Sequence, residues 1–283
     1  MISCSPRMLK GVAALVGIGL VLVLTWPRDQ SHFGSSSSEH LLLYCAAGLR
    51  DPLQTIISDY QRTYAVTIAV QYGGSGTLLS SLKVAQRGDL YLAADARHMD
   101  LAVHGGLVAE TISIARQHLV LATRAGNLKA IHELKDLTRP DVRVAYANPE
   151  VASAGKTIQN IMEKLNLWEV AKRQAAVFKP TVNDVINDVQ LGSVDVGVVW
   201  SPLVALYPGL VAVHTKELDA HSEQIRIGVL TSSAQTKQAL HFARYVGASD
   251  RGLKVFHRSG YLIEQGKPWA EGSTSTELRE PGP

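Results

Sequence analysis

Beyond residue 40 the chain alternates between short, nearly unbroken apolar runs and longer stretches with helical spacing. The apolar runs are LLLYCAA (41–47), VTIAVQY (66–72), DLYLAA (89–94), HLVLAT (118–123), VRVAYA (142–147), VDVGVVW (194–200), LVAVHT (210–215) and IRIGVL (225–230). Such runs, bounded by turn residues and rich in Val, Ile and Leu, predict strands buried on both faces. Between them lie DPLQTIISDYQRTY, GTLLSSLKVAQR, ARHMDLAVHGG, KTIQNIMEKLNLWEVAKR and VNDVINDVQLG, where apolar residues recur every three or four positions. That period predicts amphipathic helices packed on a sheet. Strand and helix in alternation place the chain in the α/β class, with a mainly parallel sheet flanked by helices.

The ends read differently. Arg7 and Lys10 precede Gly11–Pro27, a stretch of 17 residues without charge. As a helix it spans about 25 Å, slightly short of a bilayer core of roughly 30 Å. Basic residues ahead of it orient the start toward the cytoplasm and export the remainder of the chain. Residues 1–27 are therefore expected to be an uncleaved inner-membrane anchor, with a cleaved signal peptide as the competing reading. Residues 28–40, serine-rich and polar, read as a linker, and residues 266–283 as a disordered tail. The body is expected to be periplasmic, tethered by residues 11–27.

Composition narrows the chemistry. A net charge of +3, with no basic block, gives no footprint for nucleic acid. The 10 histidines show no close pairing along the chain, so no metal site is expected for a free cation. Cys4 and Cys45 fall on opposite sides of the apolar segment and cannot pair, and Cys45, inside a strand, reads as a small buried hydrophobe.

In open α/β sheets ligands bind beyond the carboxyl ends of the strands. The turns there read GLRD, GGSGT, NPEVASAGKT and SPLV, rich in small residues and hydroxyls and poor in carboxylates. EVASAGKT ends like a phosphate loop, but Glu150 stands where the first glycine is required, and a carboxylate there repels phosphate. YGGSGTLL lacks the third glycine of a dinucleotide fingerprint, with Leu79 in its place. Thr77 stands where a hydrolase elbow needs its second glycine. Strand–turn–helix junctions remain, and these aim free N–H groups and the positive end of a helix dipole at a small anion. Asp89 and Asp95 close opposite ends of one strand, about 20 Å apart, so they cannot share an ion, and Asp95 is placed to cap the next helix. No nucleophile, base and acid fall into a constellation, and no enzyme activity is expected.

The succession AAGL, YGGSGTL, GDLYLAAD, NPEVASAGK, VNDVINDVQLGSVDVGVVW, ARYV and FHRSGYL, from about Leu41 to Leu262, resembles the periplasmic molybdate-binding proteins of ABC transporters, within the type II periplasmic solute-binding proteins. The resemblance implies a two-lobed fold in which each lobe is a mainly parallel sheet flanked by helices, with the ligand in the cleft between lobes. It implies lobe 1 at 41–117 and 225–265 and lobe 2 at 118–224. The ligand implied is molybdate or tungstate, bound as an oxyanion without a cofactor. The partners implied are a permease and an ATPase, with the binding protein a monomer. The family's contacts fall on Gly48, Ser75, Ala154, Val182 and Trp200. Gly48 stands for a serine and Trp200 for a tyrosine, so two hydroxyl donors are missing, and Arg50, Ser153 and Asn183 are the nearby residues that would replace them. The alternatives are the same fold holding sulfate, phosphate or another small ligand, or a membrane-anchored anion sensor.

Overall fold

The computed structural model describes residues 39–270. Gly11–Pro27, residues 28–38 of the linker and residues 271–283 lie outside the described residues, and among those described no helix is long and apolar enough to cross a membrane.

One sheet path runs through two halves in the order β2-β1-β3-β9-β4-β7-β5-β6. In the first half, β1 (Glu39–Ala46) pairs in parallel with β2 (Val66–Gly73) and β3 (Leu90–Ala93). In the second, β5 (Val144–Ala147) pairs in parallel with β6 (Ala175–Lys179) and β7 (Val196–Trp200). These are the βαβ units that the alternating pattern predicts. The halves are joined differently from a mainly parallel sheet. The 17-residue β4 (Val108–Arg124) runs antiparallel to β9 (Ser222–Leu230) over its first part and antiparallel to β7 and to β8 (Leu210–Val213) over its last. β9 in turn lies antiparallel to β3, and β10 (Leu262–Ile263) to β4. The changeover is sharp: His118 is the last β4 residue opposite β9, at Ser222, and Leu119 is the first opposite β7, at Trp200.

Each half has its own core, which makes the fold two-lobed. One cluster gathers residues such as Leu43, Leu53, Ile68, Leu92, Ile227 and Phe242, and another gathers Leu121, Ile131, Tyr146, Ile158, Val185 and Val198. Fully buried strands β3, β5 and β7 account for the near-continuous apolar runs. Helices α1 (Arg50–Thr63), α2 (Ser75–Ala85) and α3 (Ala96–His104) cover the first half, and α4 (Ser153–Lys164), α5 (Trp168–Gln174) and α6 (Val182–Leu191) the second. Short α7 (Ser201–Val204) and α8 (Lys216–Asp219) follow β7 and β8, and α9 (Thr236–Val246) and α10 (Gly252–Arg258) return to the first half.

Asp95 caps α3 through the His98 N–H at 2.9 Å, and Asp89 receives the Leu42 N–H at 2.7 Å and the Ser233 hydroxyl at 2.6 Å, structural roles for both. Cys45 is a free, buried thiol whose pKa burial pushes well up, so it stays protonated and inert. The order after Gly266 departs from expectation. Lys267 accepts from the Ser249 N–H, and the Trp269 indole donates to the Tyr64 hydroxyl at 3.0 Å while packing beside His241 and Tyr245. An apolar ring with one polar handle holds the chain down as far as Ala270.

Candidate functional site

A cavity of about 20 Å³ lies between the two halves, at the carboxyl ends of β1, β2, β5 and β7. Its lining comes from both halves, so the lobes stand closed on it. Each wall is a turn the sequence singles out. β1 ends in a single 3₁₀ turn, Ala47–Leu49, that presents Gly48. β2 ends at Gly73 and Gly74, and Ser75 is the first residue of α2. Ala152, Ser153 and Ala154 open α4, Thr181 and Val182 open α6, and Trp200 ends β7. Among the described residues no charged side chain lines the cavity.

The first residues of a helix have N–H groups with no partner inside the helix. Here three helices present theirs together: Ser75, Ser153 with Ala154, and Val182. Their dipoles converge positive on the cavity. The Ser75 hydroxyl, 1% exposed, accepts from the Ala94 N–H at 3.3 Å, which leaves its own proton for another acceptor. Thr181 is held in place by a capping box with Asp184, its hydroxyl donating to that carboxylate at 2.6 Å. Behind α2, Asp95 and His98 form a buried pair with the imidazole Nδ1 at 2.8 Å from the carboxylate.

Glycines make the close approaches possible. A Cβ on Gly74 would lie 2.3 Å from the Val151 carbonyl oxygen and 3.0 Å from that of Pro180, both on the opposite lobe. A Cβ on Gly155 would lie 2.2 Å from the Ala147 oxygen, so only glycine lets α4 start this close to β5. The lobes also touch directly, with the Gly76 and Thr77 N–H groups donating to the Val151 carbonyl at 3.0 and 3.3 Å. These two amides of α2 are thus taken by protein, and Ser75 keeps the cavity face.

The structure brings together Gly48, Ser75, Ala154, Val182 and Trp200, with Ser153 beside them. Arg50 and Asn183 lie elsewhere. Arg50 is exposed and sets its guanidinium 4.2 Å over the Tyr72 ring. Asn183 does not line the cavity, and its side-chain oxygen is buried without a hydrogen-bond partner among the described residues. The two departures at Gly48 and Trp200 prove to be neighbours. A Cβ on Gly48 would lie 3.4 Å from the indole Cδ1, in ordinary van der Waals contact, and 3.0 Å from Val182 Cγ2, the tighter of the two, so a side chain at 48 would sit directly against both. Lining residues missed by the sequence reading, Ala94, Ala152 and Thr181, are small and lack any motif of their own; Thr181 alone carried a signal, as the cap ahead of VNDV.

The model of the bacterial extracellular solute-binding protein family matches residues 41–262. The chain belongs to this family. Among solute-binding relatives it is 26% identical over 257 residues to YvgL of Bacillus subtilis, named there as a candidate ABC transporter substrate-binding lipoprotein, covering 89% of this chain and 97% of that one. It is 26% identical over 256 residues to the molybdate-binding protein ModA of Mycobacterium tuberculosis, covering 88% and 95%. Among solved structures it matches the substrate-binding domain of a candidate molybdenum ABC transporter from Clostridium difficile, with a TM-score of 0.59 and 25% identity over 81% of this chain and all of that one. A solute-binding protein is thus what carries the cavity, and its donors define what the solute must accept.

One further cluster lies away from the cavity. His118, His214 and Asp219 meet where β4 changes partners, each offering a donor atom within 4.8 Å of the others. The expectation that no histidines pair for metal came from their spacing along the chain, and the fold brings two of them together, one from β4 and one from the residue after β8. Burial pushes the His118 imidazole pKa down, against the pull of Asp219.

Proposed function

We propose that this exported protein captures molybdate, or tungstate, between its lobes and delivers it to an ABC permease driven by a cytoplasmic ATPase. The observation that carries the reading is the meeting of three helix N-termini and the Ser75 hydroxyl on a cavity without a charged side chain among the described residues. A fully deprotonated tetrahedral anion accepts hydrogen bonds and offers none. A wall of N–H and O–H donors satisfies it, while a protonated anion brings a donor that finds no acceptor. The named molybdate-binding relatives support the choice of anion.

The reading assigns Gly48, Ser75, Ala154, Val182 and Trp200 as the ligand shell, through backbone N–H groups, the Ser75 hydroxyl and the indole N–H, with Ser153 adding a hydroxyl. Lobe 1 is 41–117 with 225–265, lobe 2 is 118–224, and the pair closes as a hinge about the crossing of β4 and β9. Residues 11–27 tether the protein, a monomer, to the inner membrane.

Calorimetric titration of the purified chain with molybdate, tungstate, sulfate and phosphate tests the reading. Saturable one-to-one binding of the first two, with the last two at least about tenfold weaker, is the expected result, a difference of about 1.4 kcal/mol. Preference for sulfate or phosphate would replace the ligand and keep the fold.

A further inference from the structure

The cluster at His118, His214 and Asp219 has a geometry of its own. His118 Nε2 is buried and has no hydrogen-bond partner among the described residues. It stands 3.7 Å from Asp219 Oδ1, and His214 Nδ1 stands 3.0 Å from the same oxygen. Zinc–nitrogen and zinc–oxygen bonds of about 2.0–2.1 Å in a tetrahedron put ligand atoms about 3.3–3.4 Å apart. The two measured separations straddle that edge. The third, between the imidazole nitrogens, is within 4.8 Å and closes by rotation of the His214 side chain, which is 53% exposed. Secondary structure supports two of the three positions. His118 is fixed in the β4 ladder, and α8, which carries Asp219, is capped by Thr215 through the Leu218 N–H.

We propose that His118, His214 and Asp219 form a binding site for a divalent cation of the zinc class, separate from the oxyanion cavity. Two imidazoles and one carboxylate suit zinc, cobalt and nickel far better than calcium or magnesium, which take oxygen ligands. In the neutral His214 ring the proton moves to Nε2, and the ion takes its place between Nδ1 and Asp219. Three protein ligands leave a coordination position facing solvent, filled by water. The ion would tie the β8–β9 connection, residues 214–221, to β4 at the residue where that strand passes from one lobe to the other. It would therefore brace the hinge.

The untagged full chain, stripped with chelator, would be titrated with cobalt(II) read by visible absorption, and with zinc(II) against a chromophoric chelator. One equivalent of each should bind, with calcium and magnesium at least a hundredfold weaker. His214→Ala and Asp219→Asn, both at exposed side chains, should each weaken zinc at least tenfold while leaving molybdate affinity and the circular dichroism spectrum unchanged. His118→Gln should do the same to zinc, and if that variant fails to fold the other two still decide. Zinc binding that ignores both exposed variants, equal binding of calcium, or no saturable equivalent at all would each overturn the site.

Discussion

The Gly76 N–H donates to the Val151 carbonyl at 3.0 Å, and this bond joins the start of a lobe 1 helix to the turn ahead of a lobe 2 helix. It exists only when the lobes are closed. Gly74, beside it, sits with no room for a Cβ against the same carbonyl. Gly74→Ala should therefore hold the lobes apart without touching either core. We expect molybdate affinity to fall about tenfold or more, because a ligand gripped by both lobes binds in proportion to the population that closes. Small-angle scattering with saturating molybdate should show a larger radius than wild type. Equal compaction and equal affinity would show that the contact is incidental to closure.

Ser75→Ala tests the hydroxyl inside the cavity. Hydrogen bonds to charged groups are worth about 1.5–3 kcal/mol, and the variant should lose that much molybdate affinity in calorimetry. The Ala94 N–H also loses its acceptor, so a stability cost of about 1 kcal/mol is expected in denaturant unfolding. An affinity unchanged within error would remove Ser75 from the ligand shell.

Arg50 and the Gly48–Trp200 pair mark the limit of what the chain reveals by itself. The strands β1, β2, β5 and β7 and the turns after them were legible, because buried strands make apolar runs and the turns between carry glycines and hydroxyls. The first part of β4, VAETISIARQ, was not, since it mixes exposed and buried positions along an edge that β9 covers. β6 escaped because AAVFK abuts α5 without a turn residue. Arg50 lies two residues past Gly48, near enough to reach the ligand, yet its direction is set by Tyr72 on a neighbouring strand. The His118, His214 and Asp219 cluster joins side chains from β4, the residue after β8 and α8, with no local motif in any of them.

From this placement, Arg50→Ala should change molybdate affinity by less than about threefold. What it removes is an exposed cation–π contact worth about 0.5–1 kcal/mol. A tenfold or larger loss would mean that Arg50 swings into the cleft when the anion arrives.

Glu223 gives the pH dependence. Burial, ahead of the hydrogen bond it receives from the Thr157 hydroxyl at 2.9 Å, raises its pKa above the usual carboxylate value. The folded state thus binds the proton more tightly than the unfolded one. Its stabilisation is full below the unfolded pKa and is lost as pH rises through the folded pKa. Glu223→Gln keeps an acceptor for Thr157 and cannot ionise. The variant should melt higher than wild type at pH 8 and nearly level with it at pH 4, by scanning calorimetry. Equal melting at both pH values would show that the carboxylate is solvated in the folded protein.

The last prediction joins the two departures from the family pattern. A serine at 48 places its Cβ 3.0 Å from Val182 Cγ2, so that methyl must give way, and 3.4 Å from the Trp200 indole, in contact with the ring its hydroxyl has to pass. Gly48→Ser alone should therefore weaken molybdate binding, even though it adds a hydroxyl donor. Trp200→Tyr alone removes a fully buried indole from the second core and opens space beside Gly48, so it should cost stability by several kcal/mol at most and also weaken binding. Together the substitutions restore a serine and a tyrosine to the same space, the smaller ring leaving room for the serine hydroxyl. The double variant should bind at least as tightly as wild type, and the double-mutant cycle should show a favourable coupling of about 0.5–3 kcal/mol, the range for residues in contact. Losses that simply add would mean that Gly48 and Trp200 do not share the site, and that the indole holds its place for packing alone.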